Sequence, residues 1–322
     1  MLNFGLIGRR RSDPLAALIR QLFSAGEQGA FYIPRPIVNG VQSLFQDAEG
    51  TVAVTADGDP AGAMIDQSRN EHTAVQTISA ARPTYNTLPD RLSLDKADDA
   101  LIITVPTGGW DGTMVLATDD GTASYGISID AGSYVLGGSH FPGDAIVGAV
   151  FRDGAMTAQE KLDAESYFVS NGATASYGAV TDFGTYWRLR SEFTTFPIID
   201  TSSGVSFSAT WENSRSYISF PLLDFSSAEI FGLAWEDCRA LVNFPANSFD
   251  NIKGGNFGRA FVRTNLSQIS IDGILVSLVA SGIAAGTRVF DQSGGSAPSS
   301  TGEAAIDTLR SRGWTVTVTG GY

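Results

Sequence analysis

Aromatic residues in the C-terminal half of the chain recur at a fixed interval. Trp187, Trp211 and Trp235 are 24 residues apart, and Phe261 continues the series two positions late. Each has a phenylalanine four residues before it: Phe183, Phe207, Phe231 and Phe257. Phe196-Pro197, Phe220-Pro221 and Phe244-Pro245 keep the same period, as do Phe193, Tyr217 and Leu241. A period of this length specifies stacked supersecondary units. One unit cannot bury its own apolar side, so equivalent aromatics are expected to stack into a continuous core. The Phe and Trp columns are therefore read as repeat core and not as a ligand platform. Stacked units present an extended surface, which favours recognition over a single deep catalytic site.

Composition narrows the function classes. The chain has 322 residues, enough for two cores. Only 17% of residues are charged and 43% are apolar, which fits a folded β-rich protein. Lysine and arginine number 21 against 34 acids, so the net charge of -13 opposes nucleic-acid binding. With Cys238 alone no intrachain disulfide forms, and only His72 and His140 accompany it for metal sites. The run Leu2 to Ile7 is short and precedes Arg9-Arg10-Arg11, the reverse of a secretory signal. No apolar stretch reaches the about 18 residues of a membrane span. Synthesis in a reducing cytoplasm is expected.

Three regions follow along the chain. Residues 1–28 carry a short helix, with Asp13 as N-cap, Pro14 at its first position and Gly26 as its stop. Leu15, Leu18, Ile19, Leu22 and Phe23 share one face. That face can dock on a partner, cap its own domain or lie on a membrane. Residues 29–174 read as a β-sandwich or jelly roll. Strands are expected at Thr51–Thr55, Ala100–Val105, Thr113–Ala117, Ser124–Ile129, Ser133–Leu136 and Ala145–Phe151, between Gly/Asp turns. Met156 to Ser170 reads as a helix, with Thr157 and Glu160 at capping-box spacing. Residues 175–322 hold the repeats and an α/β cap. In the cap, helices are expected at Ile271–Val279 and Ser299–Arg312, and strands at Val289-Phe290 and Trp314–Thr319.

The stretch Phe196-Pro-Ile-Ile-Asp-Thr-Ser-Ser-Gly204, its copy from Phe220, and Phe244-Pro-Ala-Asn-Ser-Phe-Asp250 resemble the BspA-like leucine-rich repeats of bacteriophage virion proteins. The tail from Ser293 to Val316 fits the same pattern, so the likeness covers nearly half the chain. Residues 29–174 resemble the concanavalin/laminin-G-like jelly roll of phage tail and fibre proteins. The pieces carrying this are Ser43–Asp47, Asp66–Asn70, Ala81–Tyr85 and Asp95–Asp99. The family's Phe-Asp-Gly-Val-Asp-Asp turn is here Leu94-Asp95-Lys96-Ala97-Asp98-Asp99, with lysine in place of glycine.

The resemblance implies a mainly β fold with α/β repeats. An N-terminal virion-anchoring helix (1–28) would precede a jelly roll and a short leucine-rich-repeat-like solenoid with a C-terminal cap. It implies a displayed virion protein, made in the bacterial cytoplasm and bound to other virion proteins. The first expectation is a tail-fibre or receptor-binding adhesin for a host receptor or glycan, forming a closed oligomer, a trimer. A capsid decoration or head-fibre protein is the alternative. A surface-glycan hydrolase is a third, but no P-loop, zinc-binding His-Glu spacing or Gly-x-Ser-x-Gly elbow is present. No cofactor is expected. Asp119-Asp120 and Asp98-Asp99 are calcium candidates, against a plain reading as turn residues. Trp110, within Gly108-Gly109-Trp110-Asp111-Gly112, and Tyr134 are the candidate ligand contacts, as loop aromatics outside the repeat core. For Trp110 the competing reading folds the ring over its own turn.

Overall fold

The computed structural model describes residues 13–284 and 286–322. The sequence readings made on Leu2 to Ile7 and on Arg9 to Arg11 lie outside these residues. The protein is mainly β. A seven-stranded antiparallel sheet has the long strands Trp110–Thr118, Thr122–Ile129 and Ala145–Asp153 at its centre. A five-stranded sheet includes Ala100–Val105 and Gly132–Gly137. The expected strand at Thr51–Thr55 is only an isolated bridge between Phe45 and Ala53.

Strand Trp110–Thr118 shows why its residues alternate as they do. Trp110, Met114 and Leu116 enter the core shared with Leu101, Ile103 and Leu136 of the second sheet. Val115 and Ala117 point the other way, into a cluster with Leu15, Leu18, Leu22 and Phe168. Both faces are buried, so the strand reads as a nearly continuous apolar run. The outer layer consists of helix α1, Pro14–Leu22, and helix α2, Ala158–Ser170. Thr157 accepts the Glu160 amide at 3.2 Å, and Glu160 accepts the Thr157 amide at 2.7 Å. The same Glu160 binds Arg152 of the sheet at 2.6 Å, so one carboxylate caps α2 and pins it. Burial raises the Glu160 pKa, but the Thr157 bonds and Arg152 outweigh it and hold the group below its usual value.

The core does not stop at residue 174. Strand Phe193–Thr195 adds to the edge of Thr122–Ile129, with Ile127 opposite Phe193. Tyr125 stacks on Phe193 at 4.5 Å, and the Trp187 indole donates to the Tyr125 hydroxyl at 3.1 Å. The first 24-residue unit is thus stitched into the sheet by backbone and side chains.

Beyond it the units lie one above another. Phe183, Phe207, Phe231 and Phe257 stack with centroids 5.0, 5.6 and 4.6 Å apart. Trp187, Trp211, Trp235 and Phe261 stack at 6.0, 5.1 and 4.9 Å. All eight rings are fully buried. The Phe196, Phe220 and Phe244 rings form a further column and meet the tryptophans nearly at right angles.

The backbone follows the same logic. The amides of Phe207, Ala209, Trp211 and Asn213 donate to the carbonyls of Ile230, Gly232, Ala234 and Glu236 in the next unit, at 2.8–2.9 Å. Two residues four positions apart in each unit are left-handed here. Thr185, Ala209, Leu233 and Arg259 form one such series, and Leu189, Asn213, Asp237 and Arg263 the other, with φ of 56–64°. This corrects the expectation of α/β repeats. No helix forms in described residues 183–254, because two left-handed residues per unit interrupt helical φ/ψ and leave overlapping turns. Helices return only in the cap, α3 (Gln268–Ala280) and α4 (Ser300–Ser311). They connect parallel strands Gly255–Val262, Arg288–Ser293 and Thr315–Thr317. Gly313, with φ +82°, is the left-handed stop of α4.

A run of ion pairs ties one edge of the units together. Asp237 accepts Arg239 Nε at 2.8 Å, Arg263 Nε at 2.9 Å and Arg215 Nε at 3.1 Å. Burial raises the Asp237 pKa, but hydrogen bonds from Arg239 and Arg215 outweigh it and lower it from 3.8. A carboxyl lowered on folding adds stability that is complete above its unfolded value and disappears as pH falls through its folded one. The urea midpoint of the protein is therefore expected to exceed that of Asp237→Asn at neutral pH, and the difference should shrink below pH 3.8. A difference that stays constant through the acid titration would contradict this assignment.

Candidate functional site

Two of the sequence-derived sites are placed differently by the structure. Trp110 and Tyr134, taken as ligand contacts, are 1% and 7% exposed. Gly109, with φ +75°, turns the chain where an added Cβ would lie 2.4 Å from the Ile129 carbonyl. The strand therefore begins at Trp110 itself, and its indole enters the inter-sheet core. There it meets His72 edge-on at 5.2 Å and Phe151 at 5.6 Å. Tyr134 packs on Phe151 at 5.2 Å, and burial pushes its hydroxyl pKa up. A buried ring is not free to stack on a ligand, so neither residue serves as a contact. Tyr32 and Tyr85, in strands Gly29–Tyr32 and Thr84–Asn86, are buried too.

The anchor face of α1 is also engaged. Leu15, Leu18 and Leu22 are buried among Phe31, Val115 and Phe168, with Ile19 and Phe23 packed against them. Gln21 adds a 2.8 Å bond to Asp163 of α2. Of the alternatives open at the sequence level, the structure displays the self-capping one. Leu15, Leu18 and Leu22 thus hold the helix to its own sheet, with Ile19 and Phe23 half-buried beside them.

The calcium candidates Asp119 and Asp120 lie near a cation that the chain supplies itself, Lys96, which pairs with Asp144. Asp119 Oδ1 accepts the amides of Asp144 and Ala145, each at 2.9 Å. Asp120 accepts the Tyr186 hydroxyl at 2.6 Å. The Lys96 ammonium lies 3.5 Å from Asp144, 2.7 Å from the Phe141 carbonyl and 5.1 Å from the Tyr186 ring centre. Burial lowers the Lys96 pKa, opposed by Asp144, Asp120 and Asp119, and burial raises that of Asp119. Lys96 thus offsets the charge of these acids. The carboxylates of Asp95, Asp98 and Asp99 lie within 4.8 Å of one another. Asp95 Oδ1 is occupied by the amides of Ala97, Asp98 and Asp99, as in a self-capped turn.

What the units do expose is a second recurring pattern, which the aromatic period overshadowed. Ile198 and Leu222 occupy equivalent positions and are 81% and 55% exposed. Each is followed two residues on by an exposed acid, Asp200 or Asp224, and then by Ser202 or Ser226. Asp200 accepts the Ser202 hydroxyl at 2.7 Å and its amide at 3.1 Å, which holds its carboxyl below the usual range. Asp224 accepts the Ser226 amide at 2.8 Å.

Two open clefts lie along this face. The first, about 510 Å³, sits where α2 and the Thr122–Ile129 edge meet the first unit, and is lined by Ser124, Lys161, Glu165, Ile198 and Asp200. The second, about 440 Å³, lies at the next unit and is lined by Leu222, Asp224, Ser226, Asn247 and Asn251. Carboxylates, hydroxyls and amides beside aliphatic surface suit a hydroxyl-rich ligand. Neither cleft is lined by a described histidine or cysteine. His140 lies elsewhere, its pKa lowered by burial and by Arg188 and Arg190, and Cys238 is buried with its thiol pKa raised. The signal for the recurring face was present in the sequence as Phe-Pro-x-x-Asp, but its exposed third position carries no aromatic marker.

Compared with known protein families, curated proteins and solved structures, the chain matches none. Among the described residues no helix is long and apolar enough to cross a membrane.

The charge balance at Lys96 is directly testable. Lys96→Met leaves Asp119, Asp120 and Asp144 without their ammonium. Because Asp144 is mostly exposed, the effect is modest, about 1 kcal/mol. Calorimetry should show a melting temperature lowered by roughly 1–2 °C. An unchanged or higher value would contradict the reading.

Proposed function

We propose that this protein is a non-enzymatic structural protein of a bacteriophage virion, whose repeat face recognises a glycan on the host surface. In this reading residues 29–174 form a concanavalin/laminin-G-like jelly roll. The stacked units are a short leucine-rich-repeat-like solenoid, closed by the α/β cap. The single observation carrying recognition is the recurrence of the exposed aliphatic, acid and serine set at Ile198-Asp200-Ser202 and Leu222-Asp224-Ser226, each beside an open cleft. A repeated polymer is matched by a repeated site, since each unit adds one more copy of the same contacts. The virion assignment is supported by the resemblance of Phe196–Gly204 and its copies to repeats of phage particles. The tail-fibre or receptor-binding role ranks first, as a closed oligomer, because recognition on a projecting array needs outward display.

Immunogold electron microscopy on particles of the phage encoding this chain tests the proposal. Label at the tail tip is the expected result. Label over the shell would replace the adhesin with a head-decoration role. Absence of the chain from purified particles would overturn the virion reading altogether.

A further inference from the structure

A different edge of the units carries a cluster of arginines in this acidic chain. After the tryptophan column, Arg188, Arg215, Arg239, Arg259 and Arg263 stand along successive units. The carboxylates facing them are Glu212, Glu236 and Asp237, with Asp291 accepting the Arg259 amide at 3.0 Å. Positive and negative groups are not equally placed. The side chains of Asp237 and Glu236 are 2% and 4% exposed, whereas those of Arg215, Arg239, Arg259 and Arg263 are 51–60% exposed. The negative charge is inside and the guanidinium groups are outside.

The buried acids also orient the arginines. Asp237 holds Arg239 and Arg263 through their Nε atoms, at 2.8 and 2.9 Å. Glu236 holds Arg263 Nη2 at 3.0 Å and contacts one Nη of Arg259. Among the described residues, both Nη groups of Arg239 and the Nε and Nη1 of Arg259 take no protein acceptor. Fixed, unsaturated guanidinium forks are suited to bidentate binding of carboxylate, sulfate or phosphate oxygens.

We propose that this arginine row is a binding site for an anionic polysaccharide, distinct from the two clefts. The inference rests on the reading of the array as a glycan-recognition surface and names the ligand class. Screening lets the local row act despite the net charge of -13, since exposed charges further away than about 8 Å are largely screened at physiological salt. Nucleic acid fits less well, because single strands need aromatic platforms and the rings of the array are buried. A glycan with separated acidic groups needs only the forks and their unit-by-unit spacing.

The test is equilibrium binding of the full chain to immobilised dextran sulfate, with unsubstituted dextran and single-stranded DNA as comparators. Dextran sulfate should be retained, unsubstituted dextran should not, and affinity should fall as salt rises. Arg239→Gln combined with Arg259→Gln leaves Asp237 paired with Arg215 and Arg263, and Glu236 with Arg263. Affinity should fall roughly tenfold for each guanidinium removed, corresponding to about 1.4 kcal/mol. If that variant melts early, the Arg239→Lys and Arg259→Lys pair decides: weaker binding than the parent is expected, because the fork is lost while the charge stays.

Equal retention of both dextrans, DNA binding as tight as dextran sulfate, or unaltered affinity in a folded variant would each overturn the inference. These outcomes leave the virion reading untouched. That reading fails only if the chain is missing from virus particles.

Discussion

Everything in the C-terminal half depends on one dependence between neighbours: a unit cannot satisfy itself. Its phenylalanine and tryptophan need another ring above and below, and its amides need the carbonyls of the next unit. The two requirements share a single 24-residue register, so the stacking of Trp187, Trp211 and Trp235 and the bonds from Phe207 to Asn213 reinforce each other. Each end then needs a partner of another kind. The seven-stranded sheet supplies one through Phe193–Thr195 and Tyr125, and the parallel strands of the cap supply the other through Phe290. The two-residue insertion before Phe257 does not break the columns, because ring contact tolerates a longer turn outside the core.

Much of this was readable from residue spacing. Period and residue type identified the core columns, and Asp13, Thr157 and Gly313 marked helix ends where caps in fact form. The interior of the unit was not readable. Left-handed φ falls on Thr185, Leu189, Leu233 and Arg259 as well as on Asn213, so no glycine announces it. Those positions are imposed by the stack above and below and not by local preference. Trp110 failed for a related reason. A Gly-Gly-Trp-Asp-Gly run reads as a loop, yet the tight Gly109 turn ends one residue earlier and hands Trp110 to the core. The exposed sites were hidden because they are marked by what is ordinary: an isoleucine or leucine before an acid, and arginines such as Arg188, Arg215 and Arg263 whose acids lie 22 to 27 residues away.

The functional consequence is a division of labour by burial. Aromatic side chains, which a sequence reader associates with glycan stacking, are consumed by the core at Trp110, Tyr134 and along the columns. The solvent-facing chemistry is aliphatic, carboxylate, hydroxyl and guanidinium, repeated at unit spacing. In the proposed virion role such a surface would gather weak contacts along a polymer in place of one deep pocket.

The central claim is that the antiparallel sheets, the units and the cap share one continuous cooperative core. Native-state hydrogen exchange tests it most directly, at the amides of Phe183, Trp187, Phe207, Trp211, Phe231 and Trp235, which donate between units. Protection equal to that of the central strand Trp110–Thr118, lost in a single global transition, is the result predicted here. Exchange unit by unit, with amides near Trp211 opening while the antiparallel sheets stay closed, would contradict it.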